Sequence, residues 1–133
     1  MAIQYSVAVN NARLDAVEST TGTAPKLRIF SGSQPANCAA ADSGTLLCEI
    51  TLPSDWVNAA VSASKTLLGA WSGTATGGAA ATPTHFRIWN SGATTCHIQG
   101  TAGIGSGDLQ VNGTITSGQT VSVSSFTLNA ANT

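Results

Sequence analysis

The sequence predicts a mainly β protein: an antiparallel β-sandwich or jelly-roll-like domain with an N-terminal α-helix. Three observations carry that prediction. After Pro25 the apolar residues recur with period two, in short runs. Clusters of Gly, Pro, Asn and Ser separate those runs, as in a sheet of many short strands. No strand–helix–strand alternation and no repeat of constant period runs through the 133 residues.

Residues 4–19 are the helix candidate. Val7, Leu14 and Val17 recur at helical spacing, and Ala8, Ala12 and Ala16 favour helix. The apolar face is narrow, so the helix needs a sheet or a neighbouring subunit to lie on. Asp15 and Glu18 fall on its solvated face. Gly22 and Pro25 end it. This divides a helical segment, 1–22, from a β domain, 23–133, within one globular unit.

Lys26–Ser31 reads as a strand with Leu27 and Ile29 on one face, and residues 32–44 as a long loop. Leu46–Leu52 reads as a strand with Leu46, Cys48, Ile50 and Leu52 inward. Beyond Pro53, Ser54 has N-cap chemistry and Asp55 suits a first helical turn. A short helix or turn to about Ala63 is expected there, with Trp56 and Ala60 packed on the sheet. Thr66–Ser72 reads as a strand bulged at Gly69, followed by a small-residue loop to Pro83.

His85–Trp89 places Phe86 and Ile88 on one face and His85, Arg87 and Trp89 on the other. Asn90-Ser91-Gly92 turns the chain into a partner strand, Thr94–Gly100. A glycine-rich connection leads to Asp108–Val111, and Asn112-Gly113 is a hairpin signal. In the last run Val121 and Val123 alternate in one phase, Phe126 and Leu128 in the other. A bulge at Ser124-Ser125 must absorb the change.

Composition bounds the function. Apolar residues make up 42% of the chain, enough to fill a core at this length. Charged residues make up only 8%, against roughly 25% in an ordinary domain. Ala, Thr, Ser and Gly supply about half the chain, and the net charge is −1. A surface that neutral favours association. It suits a subunit covered by neighbours; the alternative is an exposed Ser/Thr-rich β-domain. The five cations, Arg13, Lys26, Arg28, Lys65 and Arg87, are scattered. Counterion release needs a cluster, so nucleic acid is not the expected partner. No apolar run reaches the roughly 18 residues of a membrane helix. Met1-Ala2-Ile3-Gln4-Tyr5 lacks the features of a signal peptide, so synthesis in the cytoplasm is expected.

Catalytic sets are not visible. The carboxylates Asp15, Glu18, Asp42, Glu49, Asp55 and Asp108 form no close pair. No serine sits in a nucleophile elbow, and Gly103–Gly107 lacks the lysine of a phosphate loop. The chain is therefore expected not to be an enzyme and to carry no cofactor or metal. His85 and His97 could approach across the Asn90–Gly92 turn, but a metal would lack a third ligand. They read as surface or interface histidines. Cys38, Cys48 and Cys96 are odd in number, which argues against a disulfide framework. They read as small buried residues, a Cys38–Cys96 or Cys38–Cys48 bridge being the alternative. Trp89 beside Arg87 is interface chemistry, or the lining of a second side of the core. Tyr5, Val9, Leu14, Trp56, Arg87 and Trp89 are the interface candidates.

Several stretches resemble a group of small structural proteins of tailed bacteriophages. They are Ala2-Ile3-Gln4-Tyr5-Ser6, Asn11–Glu18, Leu27–Gly32, Glu49–Trp56, Thr95–Gly100 and Ser125–Leu128, which span nearly the whole chain. The resemblance implies a virion component and carries over no functional residue. A capsid decoration (cement) protein fits first: a homo-oligomer, trimer or dimer, clamping the major capsid protein. The other expectation is a tail, baseplate or receptor-binding tip component. That role would use Trp71 or Trp89 and polar loops on a host-surface glycan.

Overall fold

A computed structural model describes residues 3–78 and 80–130. It is mainly β, with one helix at the N-terminus, as the sequence predicts. Helix α1 spans Val7–Thr21. Ser6 caps it from extended backbone, its hydroxyl accepting from Val9 N at 3.2 Å, which satisfies one of the free N–H groups of the first turn. The helix stops at Gly22, where φ is 89° and the amide donates to Glu18 O at 2.9 Å. Only Asn10, Leu14 and Thr21 of α1 are buried, so the apolar face is as narrow as expected.

The strands are β1 (Lys26–Ser31), β2 (Thr45–Thr51), β3 (Ser64–Thr66), β4 (Ser72–Thr74), β5 (His85–Trp89), β6 (Cys96–Gly103), β7 (Leu109–Val111) and β8 (Thr120–Asn129). They form one curled, mixed sheet in the order β2-β1-β5-β6-β7-β8-β3. The ten residues of β8 are long enough to pair β4 and β3 in tandem along one edge. From β4 the chain reaches back to β2 through the Cys48–Ala75 bridge and a Thr76 N to Leu47 O bond of 3.0 Å. The sheet thus curls into a half-barrel and covers edges that would otherwise be open to strand addition.

The concave face holds the core. Register sets Leu27 against Ile50 and Ile88, and Ile29 against Cys48 and Phe86. A chain of aromatic rings crosses it: Trp56–Trp71 at 6.0 Å, Trp71–Phe126 at 5.1 Å and Phe126–Phe86 edge-on at 5.7 Å. Both buried indoles keep their N–H bonded, Trp56 to Gly22 O at 3.1 Å and Trp71 to Trp56 O at 3.1 Å.

Several expectations need correction. Residues 54–63 are not helical. Val57 bridges Leu67, and Val61 and Ser64 close a tight turn through Ser62 and Ala63, both at positive φ. Trp56 still packs into the core. The strand expected at 66–72 is split at Gly69 into β3 and β4, because the chain steps along β8. In β2 a register shift opposite Ile29/Phe30 turns Leu47 inward beside Cys48 and leaves Leu46 half-buried. Asn112-Gly113 does not turn a hairpin. Asn112 still pairs with Ser122, and the chain reverses at Ser117-Gly118, φ 86° at Gly118. The bulge in the last strand is where alternation places it: Gln110 pairs Ser125 and Val111 pairs Val123, leaving Ser124 over.

The sheet is not antiparallel throughout. β6 and β7 are parallel over two residue pairs, Ala102–Leu109 and Gly103–Gln110. Parallel neighbours normally need a crossover of a dozen residues or more. Here a five-residue turn suffices because the pairing is so short and Asp108 locks it. The Asp108 carboxylate accepts from Thr101 N and Thr101 Oγ1, both at 3.0 Å, and Asp108 N donates to Thr101 Oγ1 at 3.0 Å.

Polar bonds hold α1 to the sheet. Lys65 on β3 is buried, and its Nζ donates to Asp15 Oδ1 at 2.7 Å and Glu18 Oε2 at 2.6 Å. Asn11 Oδ1 accepts from Ala63 N at 2.9 Å. Asp15 and Glu18 thus both bond Lys65, Asp15 while staying exposed as its helical position suggested and Glu18 half-buried. Burial pulls the Lys65 pKa down, but the two carboxylates together hold it above its ordinary value. Removing only the partners strands a buried charge, whereas removing all three does not. Asp15→Asn with Glu18→Gln should lower the melting temperature by several degrees and loosen α1. Adding Lys65→Met should restore part of that loss, as read by circular dichroism melts.

Candidate functional site

The convex face of β1 and β5 carries the densest polar chemistry. Strand pairing sets Arg28 directly opposite Arg87. Like charges in that position repel. Asp42, from the loop 32–44, relieves them: its Oδ2 meets Arg28 NH1 at 3.0 Å and its Oδ1 meets Arg87 NH1 at 2.6 Å. Arg28 Nε also donates to Glu49 Oε2 at 2.7 Å. Burial lowers the Arg28 pKa, yet Glu49 and Asp42 hold it above its ordinary value.

Arg87 is fully buried by the same loop. Its NH2 donates to the carbonyls of Cys38 at 2.8 Å, Ala40 at 2.9 Å and Asn37 at 3.4 Å. Gln99 on β6 adds a bond to Pro35 O at 2.8 Å. The loop base is pinched between Gly32 and Gly44, at φ 99° and 78°. A side chain on Gly44 would overlap the Ser31 carbonyl. The loop is therefore a fixed second layer over β5.

Trp89 lies at the margin of this layer, half-buried, with Arg28 and Arg87 at 5.0 and 5.1 Å from its ring centre. It lines a groove of about 510 Å³ with Cys38, Ala39–Ala41, Thr94, Thr95 and Cys96. Of the other interface candidates, Leu14, Trp56 and Arg87 are buried within the chain and offer no surface. Tyr5, just before α1, and Val9, in its first turn, are exposed, the Tyr5 ring carrying Arg13 at 5.1 Å. The candidates thus split between two surfaces, α1 and β5. Sequence reading missed two exposed apolar neighbours on the first, Ile3 and Val7: Ile3, Tyr5, Val7 and Val9 are 75, 40, 49 and 44% exposed. Val7 stands two turns before Leu14 on the same helix face, so its spacing suggested burial, whereas Ile3 precedes the helix and has no helical face. Trp71, a candidate glycan platform, is buried in the core.

The histidines do not meet. His85 stands opposite Thr101, whereas His97 lies where β6 bulges between Ile98 and Cys96. His97 faces α1, lining a shallow cleft with Arg13, Ala16, Val17, Thr20 and Thr21. Among the described residues, no three of His, Cys, Asp and Glu are grouped to hold a metal ion. No helix among them is long and apolar enough to cross a membrane. No family model matches the chain, and no curated protein or solved structure is significantly similar to it.

His85 is buried beneath the loop, stacked on Phe30 at 5.0 Å, with Nδ1 at 3.1 Å from Thr84 Oγ1. Burial holds its pKa below the ordinary 6.5, and the Arg87 charge adds to this; nearby Gly32 and Ser43 carbonyls and Asp42 offset only part. The unfolded chain thus binds a proton before the folded chain does. Stability is complete above the unfolded value and falls as pH drops from it toward the lower folded value. Melting temperature should decline as pH falls below about 6.5. His85→Phe should flatten that decline, as followed in melts across the same pH series.

Proposed function

We propose that this chain is a structural protein of a tailed bacteriophage particle, acting as a capsid decoration protein that binds the major capsid protein. The observation that carries the reading is the apolar start of α1. Ile3 and Tyr5, on the segment leading into α1, and Val7 and Val9, in its first turn, are exposed, and the domain buries only Leu14 among the helix's large apolar residues. Isolated exposed apolar residues are ordinary; four of them within seven residues of chain are a candidate contact surface.

Composition supports the same reading. Only 8% of the chain is charged, and Arg28, Lys65 and Arg87 are engaged in internal ion pairs. Little charge is left to keep copies apart or to repel a neutral shell. The resemblance to small phage structural proteins points to the particle as the place of action, with synthesis in the host cytoplasm. A homo-oligomer, dimer or trimer, would present several such helices at once and gain avidity from them.

The mechanism is linkage. A protein that binds only the assembled lattice stabilises that lattice by its binding free energy. The α1 patch would enter an apolar groove between capsid subunits while the rigid half-barrel covers the joint. A tail or receptor-binding tip role remains the second reading, with Trp89 as its exposed aromatic and a glycan as its ligand. Copy number separates the two: hundreds per particle for decoration, a handful for a tip.

The test uses purified protein and emptied phage heads. Wild-type protein should bind the heads and raise their melting temperature. Val7→Asp with Val9→Asp should weaken binding at least tenfold while leaving the protein's own melt unchanged, because both side chains are exposed. Unchanged binding by that variant, or no binding by the wild type, would contradict the reading.

A further inference from the structure

The groove beside Trp89 brings two of the three cysteines together. Cys96 is the first residue of β6 and the pairing partner of Trp89. Its thiol is buried. Cys38 stands in the loop 32–44 and is half-exposed. Both line the same groove, between Ala39–Ala41 on one side and Thr94 and Thr95 on the other. The backbone of Cys38 is held over β5 by the Arg87 bond to its carbonyl at 2.8 Å. Gln99 ties the same loop to β6 through Pro35 O. The two cysteines therefore face each other from segments that are already fixed, and no folding step is needed to bring them near.

We propose that Cys38 and Cys96 form a disulfide when the folded protein meets an oxidising medium, and that the bridge locks the loop 32–44 onto β6. Cys48 takes no part. It is buried on the concave face in contact with Thr74 O, on the other side of the sheet. The odd number of cysteines then resolves into one pair and one core residue.

The oxidant is a low-molecular-weight disulfide, such as oxidised glutathione. Cys38 is the accessible entry point. Its thiolate attacks one sulfur of the oxidant, breaking the S–S bond and releasing one glutathione thiolate. The resulting mixed disulfide is then attacked at the Cys38 sulfur by the Cys96 thiolate, which releases the second glutathione. Two protein thiols are oxidised, one glutathione disulfide is reduced, and the two thiol protons end on the two glutathione molecules. Burial pushes the Cys96 thiol up to about 11, against the pull of the Arg87 charge, while Cys38 beside it raises it further. The closing step is therefore the slow one at neutral pH.

Closing a bridge between residues 38 and 96 constrains a long stretch of the unfolded chain. The entropic estimate for a loop of that length corresponds to a rise in melting temperature on the order of 10 °C. The bridge does not depend on where the protein acts. It would suit a protein made in a reducing compartment and released from it, since the bond would form only after release.

The test incubates the folded protein with oxidised glutathione, then unfolds it and counts thiols. Reduced protein carries three. The proposal expects one, with Cys38 and Cys96 recovered in a single cross-linked peptide and Cys48 free. It also expects the higher melting temperature and at least tenfold slower proteolysis within the loop 32–44. Cys38→Ser, a change at a half-exposed loop position, should keep both remaining thiols and show neither effect. A stable glutathione adduct at Cys38, a bridge that includes Cys48, or three free thiols after incubation would each overturn the proposal.

Discussion

One carboxylate reconciles two arginines that the sheet places face to face. Arg28 and Arg87 are cross-strand partners on β1 and β5, and Asp42 bridges both. Without it the pair would repel, and Arg87 would be a buried charge with only carbonyl dipoles for company. With it, the loop 32–44 is drawn down over β5 and a second layer forms. Within the loop only Pro35 is buried, so apolar packing could not hold it there. The burial of His85 and Phe30 and the groove at Trp89 all depend on that layer.

The same device recurs at the other end of the molecule. Lys65 is buried in β3 and binds Asp15 and Glu18 of α1. Helix α1 has one buried large apolar residue, Leu14, so it too needs a polar anchor. A chain with few charges thus commits them to internal bonds that attach segments poor in apolar surface. What remains outside is nearly neutral. It consists of hydroxyls, small residues and the apolar start of α1, which is why the proposed role is one of assembly. The charge deficit and the fold are two aspects of one arrangement.

The sequence made most of the sheet legible and little of its wiring. Period-two alternation located β1, β2, β5 and β8 because apolar residues alternate toward the core along each, with at most one change of phase. The bulge at Ser124 was readable because Val123 and Phe126 change phase across it. Residues 54–63 misled because Ser54 and Asp55 are good helix starters, while the outcome was decided by the distant pairing of Val57 with Leu67. Asn112-Gly113 misled because a local turn preference yielded to the longer registration of β7 on β8. The ion pairs of Asp15, Glu18 and Arg87 could not be read, since each depends on a partner about 45–50 residues away. Trp56 and Arg87 look like interface residues by type, and only burial shows that they serve the interior. Tyr5 and Val9 were legible as surface, because the narrow face of α1 left no room for them.

The claim that Asp42 seals the second layer is tested most directly by amide hydrogen exchange on Asp42→Ala. The account predicts that the amides of Ala39 and Ala40 in the loop, and those of β5 beneath it, lose protection, while those of β7 and β8 keep most of theirs. A fall in global stability of about 3 kcal/mol should accompany this, as expected for a buried cation left without its partner. Unchanged protection across residues 32–44 with unchanged stability would contradict it. The loop would then be held by something other than the carboxylate between the two arginines.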